Sequence, residues 1–239
     1  MCYNISLDQN RESIENRFNA KFVEPPVFRP IYHASGFSFP LLPIISNQEP
    51  DAIQFFQWGL IPQWVKNKKT AKSFRTKTLN ARSETIFEKP SFKHSIRIKR
   101  CLVLVDGFFE WRHVEKKKYP YYITLLEHDI FSLAGIWDAW TIPENGETIR
   151  TFSIITTAAN TLMEKIHNTK KRMPVLIRRE RERDWLKNEM TQDDIQSFFK
   201  PFDPEKMEAY PVSKLLSTRG ANTNTPEVMQ RHEYPELKD

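Results

Sequence analysis

The sequence predicts an α+β fold: a single domain with a mostly antiparallel, partly barrel-like β-sheet flanked by short helices. Three observations carry that prediction. Apolar runs of strand length, rich in Val, Ile, Phe, Tyr and Trp, recur along the chain and stop at turn-forming residues. Helical periodicity is confined to short stretches between them. Aromatic content is high (17 Phe, 7 Tyr, 6 Trp), and 16 Pro against 6 Gly suit stiff loops better than disorder. With 239 residues the chain can bury a sizeable core, and no repeat or long linker divides it.

Taken in order, residues 11–19 set Ile14 and Phe18 four apart, the spacing of a short amphipathic helix. Residues 23–43, rich in proline and aromatics, suit extended segments and turns. A strand is predicted over 54–60, ending at Gly59, with Ile61-Pro62 opening a loop and 66–78 forming a basic connector. The run at 101–105 (CLVLV) is a continuous apolar strand closed by Asp106-Gly107. Runs 119–126 and 130–137 predict a hairpin across Glu127-His128-Asp129. Asn145-Gly146 marks a turn into a strand over 150–157. Residues 158–166 carry Leu162 and Ile166 on one helix face, 172–177 reads as a strand, and 179–190 as a charged helix with Trp185 inward. Thr191 is placed to cap a helix over 192–200, where Asp193 and Asp194 suit the first turn. A last strand is expected over 209–212. Residues 1–220 are then the domain, and 221–239 a polar tail packing on it or trailing from it.

Composition narrows the function classes. Cys2 and Cys101 are too few for a disulfide framework or a four-ligand zinc site. Residues 3–20 are too polar for a secretory signal, and no apolar stretch approaches the ~20 residues of a membrane span. The expectation is a soluble cytoplasmic protein, nucleoid-associated if prokaryotic, with no metal, cofactor, membrane or obligate protein partner. The formal net charge of +6 is unevenly spread: residues 66–118 hold 16 Lys/Arg against 5 Asp/Glu, in an otherwise mildly acidic chain. Clustered cations of this kind suit a polyanion, because they displace counterions condensed on phosphates. Interleaved rings (Trp64, Phe74, Phe87, Phe92, Trp111) favour single-stranded nucleic acid, whose bases can stack on them.

The start Met1-Cys2 adds chemistry. Removing one residue would leave a cysteine with both a free α-amine and a thiol. Such an amine has a pKa of ~8, well below that of lysine, and the thiol at ~8.5 is a strong nucleophile. Together they can condense with an aldehyde and close a five-membered thiazolidine ring. Four further segments stand out: 58–64 (WGLIPQW), 79–85 (LNARSET), 106–111 (DGFFEW), and His167 followed by Arg172-Met173-Pro174. With Met1-Cys2 and the strings at 100–103, 120–123, 134–138, 155–160 and 211–213, they resemble the SRAP (SOS response-associated peptidase) family of abasic-site sensors of single-stranded DNA. The likeness runs in order from residue 2 to about residue 213.

The resemblance implies the SRAP fold over residues 1–220 and a reaction sequence. Autocatalytic loss of Met1 exposes Cys2, whose amine attacks the aldehyde of an open-chain abasic sugar, and thiol closure gives a stable DNA–protein crosslink. On this reading the catalytic residues are Cys2, Asn80, Glu110 and His167. Asn80 holds the Cys2 backbone or the sugar. Glu110, expected in a partly dry pocket, moves protons, and His167 protonates the sugar ring oxygen or serves reversal of the crosslink. Arg82, Arg172, Lys170 and Lys171 take phosphates and Trp64 a base. Simpler roles stand beside these: a turn-capping Asn80, an Arg82–Glu84 surface pair, Glu110 paired with Arg112 or Lys99, and a core Trp64. The chain departs from the family pattern twice. Tyr3-Asn4 stand where the family carries Gly-Arg, and Asn168-Thr169-Lys170-Lys171 lengthen the loop between His167 and Arg172.

Three other classes fit parts of the sequence. An N-terminal-cysteine amidohydrolase would use the thiol on an amide but leaves the basic block idle. A peptidase acting on other proteins would use Cys2 with Glu110 and His167. A non-covalent single-stranded DNA binder explains the charge and rings, yet leaves Cys2, Asn80 and Glu110 without a task.

Overall fold

The computed structural model describes residues 2–23 and 28–237. Met1, part of the stretch expected to be extended at 23–43, and the last two residues of the tail lie outside the described residues. The chain begins with β1 (Asn4–Leu7), α1 (Arg11–Phe18), β2 (Lys21–Phe22), β3 (Ile31–Ser35), β4 (Leu41–Ser46) and β5 (Glu49–Trp58). It continues through α2 (Lys68–Arg75), β6 (Asn80–Arg82), α3 (Ser95–Ile98), β7 (Arg100–Val105), β8 (Gly107–Val114) and β9 (Lys117–Leu125). Then come β10 (Phe131–Thr141), β11 (Thr148–Ala158), α4 (Thr161–Ile166), β12 (Arg172–Pro174), β13 (Leu176–Ile177), α5 (Glu182–Trp185), α6 (Gln192–Gln196) and β14 (Met207–Pro211).

The strands form two sheets. In the larger, β11, β10, β7, β4 and β5 lie side by side in that order, and a short parallel pairing returns β11 to β5 (Thr151 with Gln57, Phe152 with Trp58). That pairing closes a five-stranded barrel, so the mixed α+β, barrel-containing architecture read from the sequence is the observed one. The smaller sheet is antiparallel, in the order β14-β9-β8-β1-β3. The CLVLV run of β7 is buried along its length because both faces are covered. Cys101, Val103 and Val105 join Ile44, Phe56, Trp58 and Phe152 in a core cluster that also takes Ile5, Phe108 and Ile123 of the smaller sheet. Leu102 and Leu104 pack with Ile14 and Phe18 of α1, Trp185 of α5 and Ile195 of α6.

A buried polar knot fixes β1 beside β8. Ser6 Oγ donates to Asp106 Oδ1 (2.5 Å), Tyr122 Oη donates to the same oxygen (3.2 Å), and the Asp8 backbone N–H donates to Asp106 Oδ2 (2.5 Å). The tail crosses the same sheet: Asn224 Oδ1 accepts from the Tyr32 and His33 backbone N–H groups at the β3 edge, and Tyr234 Oη donates to the Val212 carbonyl beyond β14.

Four expectations about elements are corrected. The segments at 119–126 and 130–137 are both strands but do not pair as a hairpin: β9 pairs with β8 and β14, and β10 with β7, β11 and β13. The two strands belong to different sheets, and Glu127-His128-Asp129 carries the chain between them, with His128 at φ +48°. The basic connector contains a helix, α2, capped by Asn67 Oδ1 accepting from Thr70 N–H and anchored by buried Ala71. The charged helix over 179–190 shrinks to a tight turn and the short α5, with Trp185 buried as expected. The helix after Thr191 stops at Gln196, although the capping box of Thr191 and Asp194 forms. β1 was missed because four residues, NISL, are too few for a visible alternation.

Candidate active site

The first residues of the chain reach the site by strand pairing. Ile5 and Ser6 of β1 pair with Phe108 and Gly107 of β8, so the antiparallel register sends the residues before them toward Glu110. Cys2 is fully buried, in the same core cluster as Phe108, Met163 and Met173. Burial pushes its thiol well above the ordinary range, and the nearby Glu110 charge adds to the effect. Asn80, at the start of β6, donates from Nδ2 to the Cys2 carbonyl oxygen at 2.8 Å. β6 is held parallel to β11, Asn80 opposite Ile154 and Arg82 opposite Thr156. The amide that grips Cys2 is therefore mounted on the barrel wall.

Glu110 lies at mid-strand in β8, with its side chain 5% exposed. Burial raises its carboxyl from an ordinary value near 4.5 to about 7. Neither simple partner considered for it is used: Lys99 pairs with Asp138 at 2.6 Å, and Arg112 donates to Tyr121 Oη. Across from it, His167 ends α4, whose first turn is capped by Asn160 Oδ1 accepting from Met163 N–H (2.9 Å). His167 Nδ1 lies 2.9 Å from the Arg172 carbonyl, which only accepts, so Nδ1 carries the proton. Nε2 then faces Glu110 Oε2 at 3.9 Å. Burial lowers the His167 pKa to about 4, leaving a neutral imidazole at pH 7.

The lengthened loop keeps this arrangement. Asn168 Nδ2 donates to the His113 carbonyl (2.7 Å) and Asn168 Oδ1 accepts from the His113 N–H (3.1 Å), latching the loop to the strand that carries Glu110. Lys171, at φ +48°, returns its N–H to the His167 carbonyl (2.8 Å). Lys170 and Lys171 stand exposed at the tip.

The expected DNA ligands fall into two sets. Arg82 is exposed at the rim, 3.6 Å from Glu84, so the surface pair and an accessible cation coexist. Trp64 is half exposed, its ring edge-on to Phe74 at 5.3 Å. Its loop is pinned by the Ile61 N–H donating to Thr151 Oγ1, the Gln63 N–H to Asp138 Oδ2, and Trp140 Nε1–H to the Val65 carbonyl. Arg172 is different: it is buried, with its guanidinium on Glu84 and on the Thr156 carbonyl. It braces the His167 loop against β11 and is not presented to a phosphate. Glu84, 88 residues away in sequence, is the partner that sequence reading missed. Of the interleaved rings, Phe92 is core, while Phe87 and Trp111 pack on Phe199 and against Ser217.

Beside Asn80 a groove of about 500 Å³ opens, lined by Tyr3, Phe74, Lys77, Asn80, Arg82 and Lys89 among others. Residues of the basic block thus line a cleft that also takes in Tyr3, the neighbour of Cys2, and Asn80, which holds the Cys2 carbonyl.

Comparison with known proteins identifies the family. The profile of the family described as SOS response associated peptidase (SRAP) matches residues 1–218. The chain belongs to the SRAP family. It is 37% identical over 235 residues to the abasic site processing protein YoqW of Bacillus subtilis (strain 168), covering 97% of this chain and all of that protein. It is 33% identical to the abasic site processing protein HMCES of Xenopus tropicalis, over 84% of this chain and 66% of that one. A crystal structure of a Bacteroides thetaiotaomicron protein superposes with a TM-score of 0.91 at 41% identity, covering 97% of this chain and all of that one. Among the described residues no helix of this SRAP chain is long and apolar enough to cross a membrane.

Proposed function

We propose that the chain captures abasic sites in single-stranded DNA as a covalent thiazolidine, formed through Cys2 once Met1 has been removed. The observation that carries this reading is the Asn80 Nδ2–Cys2 carbonyl hydrogen bond of 2.8 Å, which fixes an N-terminal cysteine beside a buried carboxyl–imidazole pair. Abasic site processing is the activity in the names of YoqW and HMCES, and a covalent crosslink is the form of it that these residues support in this chain.

An open-chain abasic deoxyribose presents an aldehyde. The Cys2 α-amine adds to it as a carbinolamine, loss of water gives an imine, and S–H addition across C=N closes the ring. The net change is one thiazolidine and one water. Glu110, with its pKa near 7, accepts the proton of the α-ammonium and returns it to the departing hydroxyl. His167 is neutral there, so its Nε2 serves as a second proton acceptor in place of the donor to the sugar ring oxygen expected from the sequence, while burial keeps the thiol protonated until the imine exists. Hydrolysis of the Met1–Cys2 peptide bond, which consumes one water, is assigned to the same groups. Arg82, Lys170 and Lys171 take phosphates and Trp64 a base; Arg172 acts by holding His167. In this reading residues 1–220 are the working domain, acting in the DNA damage response, at the nucleoid in a prokaryote.

The test is a denaturing gel of Met1-processed protein with a single strand whose uracil has been excised, run beside Cys2→Ala and intact DNA. A band that survives detergent without borohydride, and needs both Cys2 and the abasic site, is expected. Its absence from protein with a verified Cys2 N-terminus sinks the mechanism, and glutaminase and plain DNA-binding assays come next.

A further inference from the structure

Two ring pairs border the groove beside Asn80. On one side Trp64 meets Phe74, which lines the groove. On the other, Tyr3 lines it and meets Phe37, with ring centroids 4.9 Å apart. Phe37 is 58% exposed, a large apolar side chain that leaves most of its surface in water despite its contact with Tyr3. Its backbone, in contrast, is fixed. The tight turn Gly36–Ser38 is tied to the N-terminal strand by the Gly36 N–H donating to the Tyr3 carbonyl at 2.7 Å. Gly36 is itself buried, so close to the Trp58 ring that a Cβ there would sit 3.2 Å from it. A ring on a rigid turn, touching the side chain next to the nucleophile, is pre-organised to receive something flat. Cations stand on the groove that Tyr3 lines, Lys77 and Arg82 among them. The fit is a nucleobase on a polyanionic strand, since each base has a π-face and its phosphates seek the cations.

Resting on the abasic-site reading above, we infer that Tyr3 and Phe37 form a stacking ledge for the base next to the missing one, so that the chain prefers lesions flanked by a purine. An abasic position removes one base from the stack, leaving its neighbour with an uncovered face. The ledge supplies that face with a partner and holds the sugar aldehyde beside Cys2. Purines, with the larger ring area, gain most.

The test uses strands carrying tetrahydrofuran, which lacks the aldehyde, with fluorescent 2-aminopurine as its neighbour on one side or the other. Binding of the native protein is expected to quench 2-aminopurine on one side. Phe37→Ala and Tyr3→Gly are expected to lose that quench and to bind the purine-flanked strand roughly tenfold more weakly. Phe37→Tyr restores both, and Leu126→Ala, an exposed apolar residue away from the groove, leaves both as in the native protein. Equal quenching in native protein and Phe37→Ala overturns the ledge, as does an equal loss of affinity when the neighbour is a second base-free spacer. A true abasic strand run in parallel separates the two readings. Crosslinking without quenching removes the ledge alone; quenching without crosslinking removes the thiazolidine and keeps the ledge.

Discussion

Replacing Glu110 by Gln keeps the shape of the side chain and deletes its ionisation. Burial raises the native carboxyl from about 4.5 to about 7, so the folded state binds a proton more tightly than the unfolded chain. The contribution of Glu110 to stability is therefore fully present below pH 4.5 and lost as pH rises through 7. The difference of 2.5 in pKa corresponds to a loss of about 3 kcal/mol once the group is ionised in both states. Gln pays none of this. Glu110→Gln is expected to match the native protein in stability at pH 4.5 and to exceed it by about 3 kcal/mol at pH 8.5, or roughly 6–12 °C in Tm for a chain of this size. His33 and His167, both lowered to about 4, titrate alike in the two proteins and cancel in the difference. Thermal melts of both proteins at matched pH values measure it directly. The same variant is expected to lose the rise in crosslinking rate centred near pH 7. A stability difference that stays constant from pH 5 to 8.5 would mean that Glu110 ionises as an ordinary surface carboxyl. The proton-transfer role assigned to it would then fail.

Other substitutions separate binding, positioning and packing. Asn80→Ala removes the only hydrogen bond described for that amide nitrogen and is expected to slow crosslinking by roughly tenfold or more, since such a bond contributes about 1–3 kcal/mol where its partner is left buried; single-turnover rates at saturating DNA read it. Arg82→Ala is expected to reduce the slope of log affinity against log salt by about 0.7, the share of one phosphate contact on a single strand, in titrations with a tetrahydrofuran strand. Arg172→Leu is expected to leave that slope unchanged and to lower Tm, because its guanidinium is spent inside the protein; a slope change as large as that of Arg82→Ala would restore it as a phosphate ligand. Gly107→Ala places a Cβ 2.2 Å from Tyr122 Oη, a group held by Ser6 and Asp106, and is expected to cost about 1–3 kcal/mol in denaturant melts; a neutral result would show that the knot beneath β1 yields.

Local sequence reveals an element when its neighbours along the chain decide its fate, and conceals it when distant partners do. The CLVLV strand was legible because burial on both faces leaves no polar position at all. The false hairpin at 127–129 arose because pairing partners are set by the whole topology, and two adjacent strands here belong to different sheets. The same rule governs the site. Cys2, Asn80, Glu110 and His167 were named together from the resemblance that ordered motifs carry, and the fold sets Asn80 on Cys2 and His167 opposite Glu110. Cations are less transparent, because arginine serves equally as a phosphate ligand and as an internal brace. Only the fold distinguishes Arg82, exposed at the rim, from Arg172, which finds Glu84 across 88 residues of chain. Aromatic rings behave likewise. Phe92, read from the sequence as a ring for bases, fills the core, while Phe37, which no motif marked, stands in water against Tyr3, the neighbour of Cys2. Surface exposure of a rigid ring is thus the observation that turns a residue without a motif into a candidate contact for DNA.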